Sequence, residues 1–314
     1  MPIVSVGESA GSGQRGDAAG EAEYSKSMAR QLERGSILLF NQSPVKLNPD
    51  HIEYLLSQRQ SDSRLHKNIS YRPIENVLSG AGRGADTTEI KAIMQDYSER
   101  VTSFVSKFLS PYAAKWSLDF ASFRPIEEEG RRMPIRKRND LLHVDAFPTR
   151  PTNGARILRV FTNINQSRPR IWNTTSSFKE LAERFASDAG LNKFGKNGGP
   201  GPVSIVSFAR RVSSTLRLTP AGRSPYDSFM LGFHNYLKEN ASFQSTCDKE
   251  RLEFPPGSTW LVFTDAVAHA VLSGQFALEQ TYIIPRQALV EPESAPISIL
   301  EKLCGQKLSL PARA

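Results

Sequence analysis

Apolar positions recur along the chain in two different periods, and the change comes near Pro111. Before it the spacing is helical. Between residues 87 and 109, Ile90, Ile93, Met94, Tyr97, Val101, Phe104, Val105 and Phe108 fall three and four apart, the clearest amphipathic helix in the sequence. Residues 48–58 predict another: Asn48 can serve as N-cap, Pro49 suits the first helical position, and Asp50 puts negative charge in the first turn. A short helix is expected over 23–34, ended by Gly35. The apolar run 36–40 then reads as a buried strand turned by residues 41–44.

After Pro111 the segments become short and strand-like. Residues 116–123, 141–147, 157–165, 203–206, 258–263 and 278–284 are apolar or alternating, with Pro, Gly, Asn and Ser between them. Helical patterns interrupt this series at 176–189 and 226–240. No internal repeat is visible. The expected class is α+β, helices packed on a β-sandwich or barrel, in one domain spanning 23–314. Residues 1–22 carry almost no large apolar side chain after Val6 and five glycines, and read as a disordered tail. The glycine-alternating stretch 78–85 reads as a mobile loop, because no strand leads into it and no Lys-Ser/Thr follows to make a phosphate cradle.

Composition adds limits. No stretch reaches the roughly 18 apolar residues of a membrane span, and the N-terminus lacks the apolar core of a secretory signal. Two cysteines, Cys247 and Cys304, cannot build a disulfide framework or a four-thiolate metal site, and they fit a reducing compartment. The expected location is cytoplasmic. A net charge of +8 suggests an anionic partner: nucleic acid, an acidic membrane surface or an acidic small molecule. Nucleic acid is the weakest of these, since no recognition helix, zinc finger or aromatic single-strand platform can be traced.

Candidate chemistry centres on the five histidines. His51 and His66 sit in polar contexts and read as surface residues; His234 reads as a packed residue of an amphipathic helix. His143 differs. It opens His143-Val144-Asp145, and in an extended segment residues i and i+2 project to one side, bringing an imidazole and a carboxylate together. With His269, which follows the Pro255-Pro256-Gly257-Ser258 turn and an apolar strand, they make a two-histidine, one-carboxylate set, the facial triad of non-haem Fe(II) oxygenases. Two ligand strands side by side in a double-stranded β-helix account for their separation in sequence. A short His-x-Asp is common by chance; the weight comes from the combination.

Such a triad leaves positions for a bidentate 2-oxo acid and dioxygen, so a second carboxylate needs a cation. In residues 156–165, period two puts Arg159, Phe161, Asn163 and Asn165 on one face and Leu158, Val160, Thr162 and Ile164 on the other. Arg159 can fork a carboxylate, with Asn163 or Asn165 helping. Arg286, after the last strand, is the rival, and Arg168 and Arg170 are further options.

The run from Leu142 to Asn165, followed by Pro169-Arg170-Ile171-Trp172, resembles the 3-deoxy-D-manno-oct-2-ulosonic acid (Kdo) hydroxylase family. Segments 225–230, 234–238 and 254–269 add to the likeness, which covers roughly residues 36–295. The resemblance implies a jelly-roll (cupin-like, double-stranded β-helix) Fe(II)/2-oxoglutarate dioxygenase with flanking helices. It would use O2 to hydroxylate the deoxy C3 of the Kdo sugar on lipid A during lipopolysaccharide assembly. The triad matches at His143, Asp145 and His269. The Arg or Lys that many related dioxygenases carry about ten residues past the distal His is replaced by Glu279 and Gln280, which moves the expected carboxylate binder to Arg159.

Arg131, Arg132, Arg136, Lys137 and Arg138 crowd upstream of the metal motif. They are a solvated loop, or an attraction to the Kdo carboxylate, lipid A phosphates or the anionic cytoplasmic face of the inner membrane. The alternatives to Kdo hydroxylation are the same iron chemistry on another small molecule or protein, and a non-catalytic cupin-like module that binds anionic glycolipid.

Overall fold

Alternation along the strands sorts side chains into two cores, and this sorting builds the architecture. The computed structural model describes residues 2–7, 18–58, 68–82, 86–194 and 223–310. The expected strand at 203–206, His66 and residues 83–85 of the glycine-rich stretch lie outside them.

The elements run β1 (Ile3–Ser5), α1 (Ala18–Glu33), β2 (Ile37–Phe40), α2 (Pro49–Ser57), β3 (Ile69–Arg72), β4 (Val77–Ser79), α3 (Thr87–Phe108), α4 (Ser110–Ala113), β5 (Ser117–Arg124), β6 (Arg156–Asn163), β7 (Arg170–Ser177) and α5 (Phe178–Phe185). They continue with α6 (Pro225–Glu239), α7 (Ala241–Thr246), β8 (Glu250–Phe254), β9 (Thr259–Phe263), β10 (Val267–Ser273), β11 (Ala277–Ile284) and α8 (Pro296–Cys304). Eight strands form a large sheet in the order β1-β2-β9-β6-β11-β5-β3-β4, and three form a second sheet, β10-β7-β8. The neighbours β11 and β6, and β6 and β9, are antiparallel.

One face of the large sheet meets the helices. Leu38, Phe40, Leu158, Val160, Leu261 and Phe263 join Ile90, Met94, Tyr97 and Val101 of α3 and Ala29 and Leu32 of α1 in one apolar cluster. The other face meets the small sheet, where Ile37, Leu39, Phe161, Trp260 and Val262 pack with Trp172, Leu252, Phe254 and Val271. Trp260 stacks on Phe254 with ring centroids 4.0 Å apart, and Trp172 stands edge-on to both Phe161 and Phe254. Such aromatic pairs each add about 0.5–1.5 kcal/mol beyond their area. This is the expected jelly-roll sandwich with a helical layer on its outer face.

The expected helix of 87–109 appears as α3, capped by the Asp86 carboxylate, which accepts from the backbone N–H of Thr88 and Glu89. α2 has the expected Asn48 cap. The N-terminus departs from expectation. Residues Ile3–Ser5 pair in parallel with Ile37–Leu39, extending the edge of the large sheet, and α1 begins at Ala18. The reason is local: an open edge at β2 offers unpaired backbone groups, and Val6 is apolar enough to enter the core. Residues 8–17 lie outside the described residues. Residues 141–147, expected as a strand, are extended but make only the isolated bridge at His143.

Candidate metal centre and its cavity

The edge of the small sheet builds the centre. The segment carrying His143 lies along β10: His143 N–H donates to His269 O at 3.1 Å, and His269 N–H returns to His143 O at 2.9 Å. Val271 N–H to Asn139 O and Asp145 N–H to Thr264 O, each at 2.8 Å, hold the segment on either side. The backbone alone thus sets the two imidazoles side by side, and extended geometry brings Asp145 to join them. One donor atom from each of His143, Asp145 and His269 lies within 4.8 Å of the others.

Each imidazole commits its Nδ1 to the backbone. The Nδ1–H of His143 donates to Leu141 O at 2.7 Å and that of His269 to Val267 O at 2.8 Å, because a carbonyl can only accept. Both rings therefore carry their lone pair on Nε2. Burial pushes His143 well below the ordinary imidazole value, helped by His269, His234 and Lys238; burial also lowers His269. Both are neutral at physiological pH, as metal binding requires. Burial on its own would raise Asp145, but the adjacent Arg159 guanidinium holds it far below the usual carboxylate range.

Three walls surround the cluster, each against one of its residues. Arg159, on β6, lies 3.3 Å from Asp145 Oδ2 and 3.2 Å from Glu279 Oε1. Glu279 in turn binds Arg124 through its other oxygen. Trp172 stacks on His269, centroids 5.0 Å apart at 24°. His234, on α6, stands edge-on to His143 at 4.9 Å, its Nδ1–H donating to Val144 O at 2.7 Å. A cavity of about 210 Å³ opens among them. Its lining includes four cationic residues, Arg124, Arg159, Arg170 and Lys238, and Asp145 as its acid.

Arg159 thus stands where the sequence expected it, inside the sandwich with Phe161. Arg170, one of the further options, lines the same cavity, its Nη1 donating to Gly274 O at 3.0 Å. The other candidates are elsewhere. Asn163 spends its amide on Arg168 O and Phe254 O, both at 3.1 Å, and Asn165 accepts from Ser167 and Arg168 N–H in the turn after β6. Arg286 is paired with Glu301 at 3.2 Å in a turn after β11. Arg168 is exposed, 3.9 Å from Glu127. Asn163 and Asn165 lie outside the cavity because the strand face that carries Arg159 and Phe161 leaves it before Asn163; Arg168 and Arg286 sit in turns away from it.

Arg124, His234 and Lys238 line the cavity without having been singled out as site residues. His234 is packed on a helix, as read from the sequence, yet the wall it belongs to faces the metal cluster. Its signal was the pair His234 and Lys238, one turn apart on the same helix face. The upstream basic cluster is partly neutralised: Arg131 faces Glu128, Arg136 binds Glu239, and Arg138 binds Asp140.

The residues fit a metal with an anionic ligand beside it. Among the described residues, Asp145 Oδ2, Arg159 Nε, Arg170 Nε and Trp172 Nε1 are buried side-chain atoms without a hydrogen bond, and all four belong to the cavity wall. Buried groups of this kind cost about 1–3 kcal/mol each unless a partner meets them.

The family model for 3-deoxy-D-manno-oct-2-ulosonic acid (Kdo) hydroxylase matches residues 15–307. The chain is similar to the crystal structure of the Kdo hydroxylase KdoO, a non-haem Fe(II) α-ketoglutarate-dependent dioxygenase, in complex with α-ketoglutarate and Fe(III). Identity is 32%, 98% of each chain is covered, and the TM-score is 0.82. The succinate complex of that enzyme is equally similar, covering 100% of this chain and 99% of the other at 32% identity and TM-score 0.82. Its cobalt(II) complex matches at 31% identity over 100% and 99%, TM-score 0.81. No curated protein sequence matches.

Proposed function

The chain belongs to the Kdo hydroxylase family, and we propose that it hydroxylates the Kdo sugar with Fe(II), 2-oxoglutarate and O2 at His143, Asp145 and His269. The observation that carries this reading is the cluster of two neutral imidazoles and one ionised carboxylate, beside a cavity in whose wall Arg159 Nε and Arg170 Nε are buried without a hydrogen bond. Two histidines and one carboxylate are the ligand set of non-haem Fe(II) oxygenases, with positions left over for small ligands.

When bound, iron with 2-oxoglutarate and O2 supplies the oxidising power that replaces a C–H hydrogen by hydroxyl, with succinate and carbon dioxide as co-products. The chain's own residues do the rest. His143 and His269 offer Nε2 lone pairs fixed by their backbone hydrogen bonds. Arg159 keeps Asp145 ionised and anchored. Arg170 is our choice for the distal carboxylate of 2-oxoglutarate, since Arg159 is held by Asp145 and Glu279 and Arg124 by Glu279. Phe161, Trp172 and Val271 put apolar surface into an otherwise polar lining and narrow the approach of the target carbon.

The oxidised carbon is, in this reading, the deoxy C3, and the sugar is presented on lipid A. NMR of the product from Kdo-lipid A tests both points: a new hydroxyl-bearing methine at C3 is expected, and oxidation at another carbon contradicts the assignment. No described helix is long and apolar enough to cross a membrane. Contact with the anionic cytoplasmic face of the inner membrane would bring a lipid-borne sugar within reach. Residues 131–138, which carry the exposed Arg132 and Ile135 and lead to Asn139 in the cavity wall, are the segment we assign to it. Salt-insensitive or absent binding to anionic vesicles would remove that part.

A further inference from the structure

The turn between β9 and β10, residues 264–266, touches two members of the metal cluster through its backbone. Thr264, its first residue, accepts the Asp145 N–H at 2.8 Å. Val267, the residue that follows it, accepts the Nδ1–H of His269 at 2.8 Å. One short turn therefore seats the carboxylate segment and presents the carbonyl that orients one imidazole. The register of β10 against β7 shifts between Val267 and His269, so the strand ladder does not run unbroken from the turn to His269. The turn needs an anchor of its own.

Asp265, at its centre, supplies one. The carboxylate accepts from Arg156 Nε at 2.9 Å, and both side chains are fully buried. Arg156 opens β6, where period two sets it with Leu158 and Val160 on the helix-covered face, opposite Arg159. Its guanidinium lies over the Phe263 ring, 4.1 Å from the centroid, and its charge bears on the buried Tyr112 and Tyr226. The same end of β6 holds the turn a second time, since Thr264 N–H donates to Ile157 O at 3.1 Å. An ion pair buried this deeply contributes little net stability, because both charges have left water. Its distinctive contribution is direction: a guanidinium is a planar donor that keeps its charge.

We propose that Arg156 and Asp265 are positioning residues for the metal centre, holding the turn that places Asp145 and His269. This rests on the reading of His143, Asp145 and His269 as the metal ligands. Neither residue of the pair lines the cavity. Arg159 meets the Asp145 carboxylate from the cavity side, whereas Arg156 acts from behind the sheet, through Asp265 and the Thr264 carbonyl.

Co(II) titration of the metal-free protein, followed by visible absorption, tests the assignment, with thermal melts run beside it. Asp265→Ala should weaken Co(II) binding about ten-fold, as for loss of an outer partner of a ligand, and should alter the ligand-field bands. Asp265→Asn keeps an oxygen that accepts from Arg156 and should restore most of the affinity. The double variant Arg156→Met/Asp265→Leu removes the pair without leaving a buried charge alone. Its melting point should return towards wild type, while its Co(II) affinity stays as low as that of Asp265→Ala. A positioning role requires that separation and a merely stabilising role does not. Wild-type affinity in the double variant, or affinity that only follows the melting point through the series, overturns the proposal. If the double variant does not fold, Arg156→Lys, which keeps the charge and loses the Nε–H, takes its place. Weaker Co(II) binding with faster hydrogen exchange at the Asp145 amide is then expected, and unchanged Co(II) affinity overturns the proposal. A wild-type protein that binds no Co(II) overturns the metal-ligand reading and this inference with it.

Discussion

His143 and His269 face one another across a two-residue antiparallel bridge, each donating its backbone N–H to the other's carbonyl. The bridge uses no side-chain atom. Replacing either imidazole therefore removes a proposed metal ligand without removing the contact that aligns the segment with β10. His143→Ala, Asp145→Ala and His269→Ala should each stay folded while losing metal. The loss should exceed the roughly 10–100-fold typical of removing an outer-shell partner. Metal titration alongside a thermal melt checks this; a variant that keeps wild-type affinity would remove that residue from the ligand set.

Arg159 tests the support of that carboxylate. It lies within ion-pair distance of both Asp145 and Glu279. Arg159→Met leaves Glu279 with Arg124 and deprives Asp145 of its main opposing charge. Metal affinity should fall by roughly 10–100-fold, and Arg159→Lys should recover part of it. Equal affinities for wild type and Arg159→Met would show that the guanidinium does not position the ligand.

Gly274 offers a test of the cosubstrate wall from outside it. Its φ of +130° is a conformation that side chains rarely adopt, and an added Cβ would come within 2.6 Å of Arg170 Cγ and 3.1 Å of its Cα. Its carbonyl accepts from Arg170, and its N–H donates to Glu127. Gly274→Ala should cost roughly 1–3 kcal/mol in stability and raise the KM for 2-oxoglutarate while leaving that for the sugar nearly unchanged. A rise confined to the sugar KM would contradict the placing of the cosubstrate at Arg170.

Metal-free protein should lose stability on mild acidification. Burial lowers His143, His234 and His269, His234 to about 4 from an ordinary 6.5. A lowered imidazole in the folded state means that the unfolded chain takes up the proton first as pH falls. Stability is therefore complete above about pH 6.5 and declines towards pH 4, by on the order of 3 kcal/mol for His234 alone. Denaturation midpoints across this range check the slope. His234→Asn, which retains an N–H for Val144 O, should flatten it; a midpoint that does not vary with pH in the wild type contradicts the buried neutral state.

The clustering of His143, Asp145 and His269 was legible because both of its parts are local signals. A His-x-Asp in an extended segment needs no knowledge of distant strands, and His269 follows a turn that sequence can recognise. Arg159 was legible for a similar reason, since period two sets it opposite Leu158 and Val160, which the helices cover. Asn163 and Asn165 shared that alternation but lie past the cavity, where β6 ends and the chain turns; alternation assigns a face and says nothing of how far a cavity extends along it. Arg124 and Arg170 meet only because β5 and β7 of different sheets converge. His234 shows the limit most clearly: helical spacing gave its burial, and only the tertiary fold gave what it is buried against. At the N-terminus, composition hid the strand Ile3–Ser5, whose order comes from the open edge of β2.

Anaerobic protein loaded with Fe(II) and 2-oxoglutarate, then mixed with Kdo-lipid A and exposed to ¹⁸O-labelled dioxygen, tests the central claim most directly. Mass analysis should show one labelled oxygen gained on the Kdo sugar and one succinate formed per event, both absent in Asp145→Ala. Succinate without oxygen on the sugar, or an oxygenated sugar that persists in the Asp145 variant, would contradict the account.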